Sequence, residues 1–336
     1  MIAPVVLGEN RPTPRPYRGG AAIERFRRLA DSGQEWLPED FVASTVTTFG
    51  SAEQGLTVID GITLRDRIAA DPAEYLGEAH LAAFGADTKL LSKLLHTGDR
   101  IFVHAHPDGA YAQRELHLAN GKTEAWIILD VDGGQGSAWV GFRDDVDEAT
   151  LATWFQTQDA ATMLGAMNEI TLRPGDVLFV PAGIPHSIGA GMLILELQEP
   201  ADLSIILEYA PYERLTKADS LLGLDEATAL RAVTRAAVSA AQIDGWLGRV
   251  SPGSFLPAAA AAFFRAEGVV VTAGHDVELA AQFAVLVVTE GAGELAWDGG
   301  VLAVRAGDTV LIPFGAGTVR VSGDLTAVRG MPPAAG

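Results

Sequence analysis

Two short stretches constrain the fold and chemistry of this chain more than any others. The first is the Phe-Val-His-Ala-His-Pro run at residues 102–107, followed by Gly-Lys-Thr-Glu at 121–124; the second spans residues 175–186. His104 and His106 are two residues apart in a run that predicts a β-strand, so both imidazoles leave the same face of a sheet. Glu124 begins an apolar run, and His186 follows a Pro-x-Gly turn. Three histidines and one carboxylate form a ligand set that suits a divalent metal such as zinc.

The second stretch fits the G-x5-P-x-G-x2-H signature of the cupins, which are small β-barrels with a metal inside, at every defined position. The first stretch has the H-x-H pair and the later Glu, separated by a longer insertion than most cupins carry. With that insertion, the chain resembles the type I phosphomannose isomerases, metal-dependent enzymes that interconvert an aldose phosphate and a ketose phosphate. The resemblance covers residues 19–209. We expect the divalent metal to be Zn2+, with Mn2+, Fe2+ and Co2+ as alternatives, bound by His104, His106, Glu124 and His186.

An internal repeat predicts a second, related barrel in the C-terminal part. Residues 307–318 align with residues 175–186, but Thr318 stands at the position of His186, and residues 285–297 contain no H-x-H pair. We therefore expect a mainly β fold with helical insertions, made of two cupin (jelly-roll) barrels, the first metal-loaded and the second degenerate. The predicted divisions are an N-terminal arm at 1–20, a metal-binding cupin domain at 21–215, a helical linker at 216–250 and a second, metal-free cupin domain at 251–336.

Hydrophobic periodicity predicts the individual elements. Strands are expected at 125–130, 137–142, 170–172, 177–180 and 193–198, and helices at 21–30, 64–70, 72–84, 147–168 and 224–240. Residues 1–20 are rich in Pro and Arg, so they are expected to form an extended arm on the surface.

Aldose–ketose isomerisation requires a proton-transferring group close to the metal. Strand alternation at residues 193–198 places Ile194, Glu196 and Gln198 on one face. A carboxylate in so apolar a strand is either functional or paired with an arginine. The resemblance places Glu196 on an acid–base position of the family, and Lys122 and Lys93 on family lysines.

We therefore predict Glu196 and Lys122 as catalytic residues, and Lys93, Gln198 and His117 as substrate-binding residues. Each of the lysines and His117 leaves an alternative open, as Glu196 does. For Lys122 the alternative is a solvated surface lysine. Lys93 lies on an apolar strand, from which its side chain could simply reach solvent. His117 lies in the insertion, where a surface position is the alternative.

Three departures from the family pattern bear on the substrate. His104 stands where the family usually has glutamine, which retains metal binding because imidazole is the better zinc ligand. Phe102 and Ile206 stand where the family has a serine and an arginine that serve the phosphate. Arg214 is a nearby alternative for that arginine, although its register does not match. An isomerase of an unphosphorylated or modified sugar is therefore the alternative to an enzyme converting mannose 6-phosphate to fructose 6-phosphate. A cupin dioxygenase and a non-catalytic sugar-binding bicupin are the further alternatives.

The charge and composition of the chain restrict the kinds of partner that it can bind. The net charge of −19 argues against nucleic acid and anionic membranes, both of which need a basic face. The chain has no cysteine and no long apolar run, and 48% of its residues are hydrophobic, which predicts a globular cytoplasmic protein. A small-molecule sugar or sugar phosphate is the expected partner, and the oligomeric state stays open.

Overall fold

The computed structural model describes residues 2–335; Met1 and Gly336, the outer ends of the predicted arm and of the predicted second domain, lie outside the described residues. Within that range the strands form an eight-stranded, a six-stranded and a five-stranded sheet and one short hairpin. The predicted mainly β fold with helical insertions is confirmed. The predicted domain boundaries and the closure of two barrels stay predictions.

The six-stranded and five-stranded sheets hold both sequence stretches. In spatial order the six-stranded sheet contains Leu247–Arg249, Asp176–Val180, Glu124–Val131, Met192–Gln198, Leu91–His96 and Glu39–Val42. The five-stranded sheet contains Ile205–Ile206, His104–Ala105, His186–Ile188, Gly136–Phe142 and Met167–Leu172. The strands predicted at 125–130, 137–142, 170–172, 177–180 and 193–198 are present, each extended by one to three residues. A further strand indicated by the Ser- and Thr-rich residues 42–49 is wrong, because the strand there is Glu39–Val42.

These two sheets face each other across a shared core. Trp126 and Ile194 of the six-stranded sheet belong to one buried cluster with Val140 and Ile188 of the five-stranded sheet. The eight-stranded sheet packs on the other face of the six-stranded sheet. The six-stranded sheet is thus buried on both faces, which explains why its strands are almost continuously apolar.

The eight-stranded sheet contains both long strands of the C-terminal part. Its strands are Val5–Val6, Thr309–Ile312, Ala284–Trp297, Val319–Met331, Arg265–Val271 and Gly253–Ser254 in spatial order, with Val277–Leu279 and Gly300–Arg305 paired to the two long strands. Val287 of this sheet and Phe264, the residue before the strand Arg265–Val271, share a buried core cluster with Phe179 and Leu195 of the six-stranded sheet. The predicted repeat appears in the backbone, because Gly175 and Gly307 both adopt φ +87°, a conformation that favours glycine.

The helices are short and lie around the sheets. They span Ala21–Arg27, Leu64–Ala70, Pro72–Leu76, Glu78–Phe84, Gly109–Tyr111, Glu148–Thr157, Ala160–Ala166, Glu226–Leu230 and Ala240–Trp246, with a π-helix at Ala112–Leu116 and 3-10 turns at Asp132–Gly134, Asp219–Leu221, Ala258–Ala262 and Phe314–Ala316. The helix predicted at 72–84 is broken at Gly77, whose φ is +82°. No helix among residues 2–335 has both the length and the apolar character needed to cross a membrane.

The continuous helix predicted at 224–240 is wrong. Only Glu226–Leu230 is helical within that span, and the next helix begins at Ala240. The intervening backbone bonds to distant segments instead: the Thr234 amide donates to the Gly183 carbonyl and the Val238 amide to the Phe142 carbonyl, both at 2.7 Å. Tertiary hydrogen bonds therefore override the helical pattern of apolar residues.

The surface position predicted for the N-terminal arm is also wrong. Val5–Val6 joins the eight-stranded sheet by pairing with Val310 and Leu311. Tyr17 is buried, and Arg15 extends into the cavity described below. The arm is therefore packed between other elements rather than lying on them.

Candidate functional site

The three predicted histidine ligands converge in the space between the two facing sheets. His104 and His186 are direct partners on adjacent antiparallel strands, and His106 follows two residues after His104. One ligand atom from each of the three lies within 4.8 Å of those of the other two. Each Nδ1 is held by a carbonyl oxygen, that of Phe102 for His104 at 2.9 Å, of Leu203 for His106 at 2.6 Å and of Ile184 for His186 at 2.9 Å. The Nε2 atoms are left to act as ligands.

Glu124 completes this group from the opposite sheet. Its carboxylate lies 3.0 Å from His106 Nε2 and 3.3 Å from His186 Nε2. Trp126, two residues further along the same strand, donates its indole N–H to Glu124 Oε1 at 2.7 Å and so orients the carboxylate. The predicted ligand positions are therefore brought together by both sheets.

The chemistry of this group fits a divalent cation. His106 Nε2, His186 Nε2 and Glu124 Oε2 are buried and have no hydrogen-bond partner among the described residues. Burial, and then the positive charge of Lys122, lower the pKa of His106 to about 3, and burial lowers the pKa of His104 well below its usual value. Burial alone would raise the pKa of Glu124, but His106 and Lys122 hold it well below its usual value. Neutral imidazoles and an ionised carboxylate are the forms that bind metal.

Lys122 reaches the site through a tightly packed loop. Its amide donates to the Pro107 carbonyl at 3.0 Å, and its ammonium lies 3.4 Å from Glu124 Oε2. The residue before it must be glycine, because a Cβ on Gly121 would come within 2.4 Å of the Gly109 amide nitrogen. The close approach of these two loops places Lys122 beside the metal ligands.

A cavity of about 470 Å³ opens next to the ligands. Its wall includes His104, Glu124, Lys122, Glu196 and Lys93, so it brings both predicted catalytic residues together with two predicted metal ligands. Phe102 and Ile206, the two departures from the family pattern, are buried and form apolar parts of the same wall.

Glu196 is the cavity carboxylate best suited to proton transfer. It is buried, and its Oε2 has no hydrogen-bond partner among residues 2–335. Burial, followed by the negative charge of Glu124, raises the pKa of Glu196 to about 8. Its nearest cation is Lys93, at 3.9 Å, so it is not part of a tight ion pair. Such a group exchanges protons readily near neutral pH.

Lys93 belongs to a buried network of charges. Its ammonium lies 2.9 Å from Asp202 and 3.4 Å from Glu39. Arg15 bridges the same two carboxylates, at 2.7 Å from Glu39 and 3.0 Å from Asp202. Burial lowers the pKa of Lys93, but Asp202 and Glu39 more than offset this and raise it overall. Lys93 therefore stays charged, buried and neutralised, and does not reach solvent.

The other two predicted substrate contacts lie elsewhere. Gln198 is fully buried beside Glu124, and its side-chain amide donates to the Ala201 carbonyl at 2.5 Å. His117 is exposed at the end of the π-helix, with φ +58°. Neither is among the residues that line the cavity.

Sequence reasoning missed several residues of the site. Trp126 carries a local signal, since strand alternation places it on the same face as Glu124. Arg15, Glu39 and Asp202 carry none, because they come from segments far apart in the chain and meet only in the fold. Arg214 was not missed: it is the out-of-register alternative to the family arginine, and it also lines the cavity.

Comparison with known proteins places this site in context. No protein-family model matches the chain. It is 25% identical over 240 residues to the mannose-6-phosphate isomerase ManA of Bacillus subtilis, covering 70% of this chain and 72% of ManA. It is 32% identical over 146 residues to the mannose-6-phosphate isomerase of Streptococcus mutans, covering 43% of this chain and 42% of the length of that relative.

The fold agrees over nearly the whole chain with two solved structures. The mannose 6-phosphate isomerase of Bacillus subtilis matches with a TM-score of 0.74 and 22% identity, covering 98% of this chain and 99% of the other. The apo form of the Salmonella typhimurium enzyme matches with a TM-score of 0.74 and 16% identity, covering 99% and 100%.

This chain is a homologue of the mannose-6-phosphate isomerases. The predicted resemblance to this family is thereby confirmed. The roles that the resemblance predicted for the metal-ligand positions and for Lys122, Lys93 and Glu196 stay predictions. Arg15 was not predicted, and the fold adds it to the cavity.

Proposed function

We propose that this protein is a metal-dependent isomerase that interconverts mannose 6-phosphate and fructose 6-phosphate. The observation that carries the proposal is one cavity whose wall contains metal-ligand positions, a lysine and a buried carboxylate with an unpartnered oxygen. The names of the curated relatives support the substrate pair. The predicted cytoplasmic location is part of this proposal.

His104, His106, Glu124 and His186 would hold the metal, with Zn2+ as the first candidate because nitrogen-rich sets with one carboxylate suit it. A divalent ion bound there would polarise the sugar carbonyl and the neighbouring hydroxyl as a Lewis acid. Each protein ligand is already held by a hydrogen bond: a backbone carbonyl orients each imidazole, and Trp126 orients Glu124.

Glu196 would carry the proton between neighbouring carbons of the sugar. Its raised pKa of about 8 makes both the carboxylate and the carboxylic acid accessible near neutral pH. The carboxylate takes the proton from carbon 2 of the open-chain aldose, and the resulting acid returns it to carbon 1. The hydroxyl proton on the oxygen of carbon 2 passes to the oxygen of carbon 1, so that the carbonyl moves to carbon 2. Lys122 would stabilise the negative charge that develops on the enediolate oxygens between these steps.

Lys93 would position Glu196 through its charge, since its ammonium lies 3.9 Å from the Glu196 carboxylate while Asp202 and Glu39 hold it in place. Gln198 and His117 were predicted to bind the substrate, but neither lines the cavity. Either residue could contact the sugar only from outside the cavity lining.

A specific observation favours a second candidate, an isomerase of an unphosphorylated sugar. Phe102 and Ile206 make part of the cavity wall apolar, and several carboxylates also line the cavity. Apolar side chains and carboxylates in the wall disfavour a phosphate dianion more than a neutral sugar.

The two candidates separate in one experiment. Purified protein loaded with Zn2+ is incubated in D2O with mannose 6-phosphate or with mannose, and ketose formation and deuterium at carbons 1 and 2 are measured by NMR. Fructose 6-phosphate carrying deuterium supports the first candidate; conversion of mannose alone supports the second. Oxygen consumption without ketose, or sugar binding without turnover, would contradict both. Metal-stripped protein is the control and should give no ketose.

A further inference from the structure

The loop that carries Lys122 is fixed at its C-terminal end by contacts of its backbone. Residues 117–123 form neither helix nor strand and connect the π-helix to the strand of the ligand carboxylate. The Lys122 amide donates to the Pro107 carbonyl at 3.0 Å, and the Thr123 amide donates to the Glu199 carboxylate at 2.8 Å. The middle of the loop is held differently, by a side chain.

Asn120, in the middle of this loop, contacts two charged side chains from a distant segment. Its side-chain N–H donates to Asp87 Oδ2 at 2.8 Å, and its Oδ1 accepts from the Lys89 ammonium at 2.5 Å. The ammonium also lies 3.5 Å from Asp87 Oδ2, so the three half-buried side chains form a closed ring of polar contacts. Hydrogen bonds to charged groups are stronger than those between neutral groups, so this ring ties the loop firmly to the distant segment.

The segment that receives Asn120 is itself rigid. The Lys89 amide donates to Asp87 Oδ1 at 2.8 Å, which closes an Asx turn, and the buried His80 side chain bonds to the Asp87 carbonyl at 2.7 Å. Lys89 has φ +52°, a left-handed conformation that costs energy for residues other than glycine and persists only where surrounding contacts impose it. The turn leads into the strand Leu91–His96, which contains Lys93.

We propose that Asn120 is a positioning residue: it ties the Lys122 loop to the turn at residues 87–89 and so fixes where the Lys122 ammonium lies relative to the metal ligands. That ammonium lies 3.4 Å from Glu124 Oε2, and the side chain is only 7% exposed. Asn120 is not among the residues that line the cavity, so it acts through Lys122 and does not touch the sugar. The inference rests on the proposed isomerase function, which assigns the developing enediolate charge to Lys122.

The first test compares Asn120→Ala with wild type in steady-state kinetics on Zn2+-loaded protein. The substrate is mannose 6-phosphate, or mannose if wild type converts that sugar alone. We expect kcat to fall about 10-fold and KM to change less than about 3-fold, because a displaced Lys122 loses an interaction that is made in the transition state.

Gln156→Ala is the matched control for this test. The Gln156 side-chain amide donates to Glu226 at 2.6 Å, and Glu226 pairs with Lys217, so the same three kinds of group meet at a place outside the cavity lining. This variant should keep kcat and KM within about 2-fold of wild type.

An exchange of the two polar groups tests whether their contact is what matters. Asn120→Asp places a second carboxylate beside that of Asp87, so it should lower kcat at least as much as Asn120→Ala does. Adding Asp87→Asn restores one amide and one carboxylate with donor and acceptor exchanged. The double variant should recover kcat to within about 3-fold of wild type, which a general loss of stability in each single variant would not produce.

The position of Lys122 is also measured without turnover. A limiting amount of acetic anhydride acetylates accessible amines, and peptide masses give the acetylated fraction of each lysine. In Asn120→Ala, Lys122 should be acetylated about 10-fold faster than in wild type, because the loop opens more often. The double variant should return to the wild-type rate. Lys217, which is exposed, is the internal standard.

Any of three results would overturn the inference: a kcat of Asn120→Ala within about 2-fold of wild type, unchanged acetylation of Lys122, or a double variant no more active than Asn120→Asp. Failure of the proposed function looks different. If wild type forms no ketose from either sugar, while acetylation of Lys122 rises in Asn120→Ala and falls again in the double variant, the positioning role is supported and the isomerase is contradicted.

Discussion

At the scale of single residues, the site depends on how each imidazole is held. The Nδ1 atoms of His104, His106 and His186 all bond to backbone carbonyls, two of them to the residue two positions earlier. These bonds orient the three rings, and the Ser204 hydroxyl also lies 3.3 Å from His106 Nδ1. The Nε2 atoms converge before a metal arrives, which reduces the cost of ordering the site.

Replacing one ligand should remove the metal. His186→Ala is expected to lower the bound metal from about one equivalent to near zero at micromolar protein. The variant lacks one imidazole, and the three remaining ligands would hold a divalent ion more weakly than four. Metal content after dialysis is measured by atomic emission. His117→Ala is the control, since His117 is exposed and outside the cavity lining. Equal metal content in both variants would refute the ligand assignment.

Glu196 should make the stability of metal-stripped protein depend on pH. Its pKa rises from 4.5 to about 8 on folding, so the folded state binds this proton more tightly than the unfolded state. The stabilisation from this proton is full below pH 4.5 and is lost as pH rises toward 8. Glu196→Gln should therefore be more stable relative to wild type at pH 8 than at pH 5 in urea unfolding. Glu169→Gln, at an exposed position, should show no such difference.

At the scale of elements, the N-terminal segment is the part whose role changes most once the fold is known. Its strand extends the eight-stranded sheet, and ten residues later Arg15 enters the cavity wall between the other two sheets. The segment thus connects the sheets and supplies a charge to the network around Lys93, Glu39 and Asp202.

Removing the charge of Arg15 should destabilise the fold. Among residues 2–335, Arg15→Gln leaves Lys93 as the one cation that forms ion pairs with Glu39 and Asp202. Breaking a buried ion pair from one side costs ~3–5 kcal/mol. Urea unfolding of the metal-free protein measures the change in free energy of unfolding. Arg114→Gln, which breaks an exposed pair with Glu115, is the control and should have no measurable effect. A loss as small as that of the control would show that the network contributes little.

At the scale of the whole molecule, the six-stranded sheet is the centre of the packing. Its inner face forms the core around the site, and its outer face packs on the eight-stranded sheet through Phe179, Leu195 and Phe264. The metal site is thus supported from behind by the C-terminal strands, although none of the predicted metal ligands lies in them.

Truncating this shared core should therefore weaken the whole chain. Phe264 is fully buried and its ring centroid lies 6.4 Å from that of Phe179, so Phe264→Ala should lower the free energy of unfolding by ~3–5 kcal/mol. Calorimetry should also show the melting transition shifted as one unit. Val301→Ala is the control, because Val301 is 59% exposed, and it should leave the melting temperature unchanged. Two separate transitions, with only the later strands affected, would mean that the sheets fold independently.

The strands were predictable because their causes are local. Residues 124–131 and 192–198 are apolar enough to be buried on both faces, and turn residues bound them. The helix expected at 224–240 was not, because residues 234 and 238 bond to backbone groups of distant loops. The pattern of apolar residues at 224–240 fits both a continuous helix and the observed segment. The backbone groups with which residues 234 and 238 form hydrogen bonds decide between the two.

The sequence by itself determined the β-rich fold and the positions of the metal-ligand candidates. Metal ligation needs particular side chains at particular spacings, and His104, His106, Glu124 and His186 show both in the linear chain. The tertiary structure alone decided how the charges around the cavity pair with one another. Arg15, Lys93, Asp202 and Arg214 come from distant segments, and whether a cation is neutralised or free depends on distances of a few ångström that no linear pattern encodes.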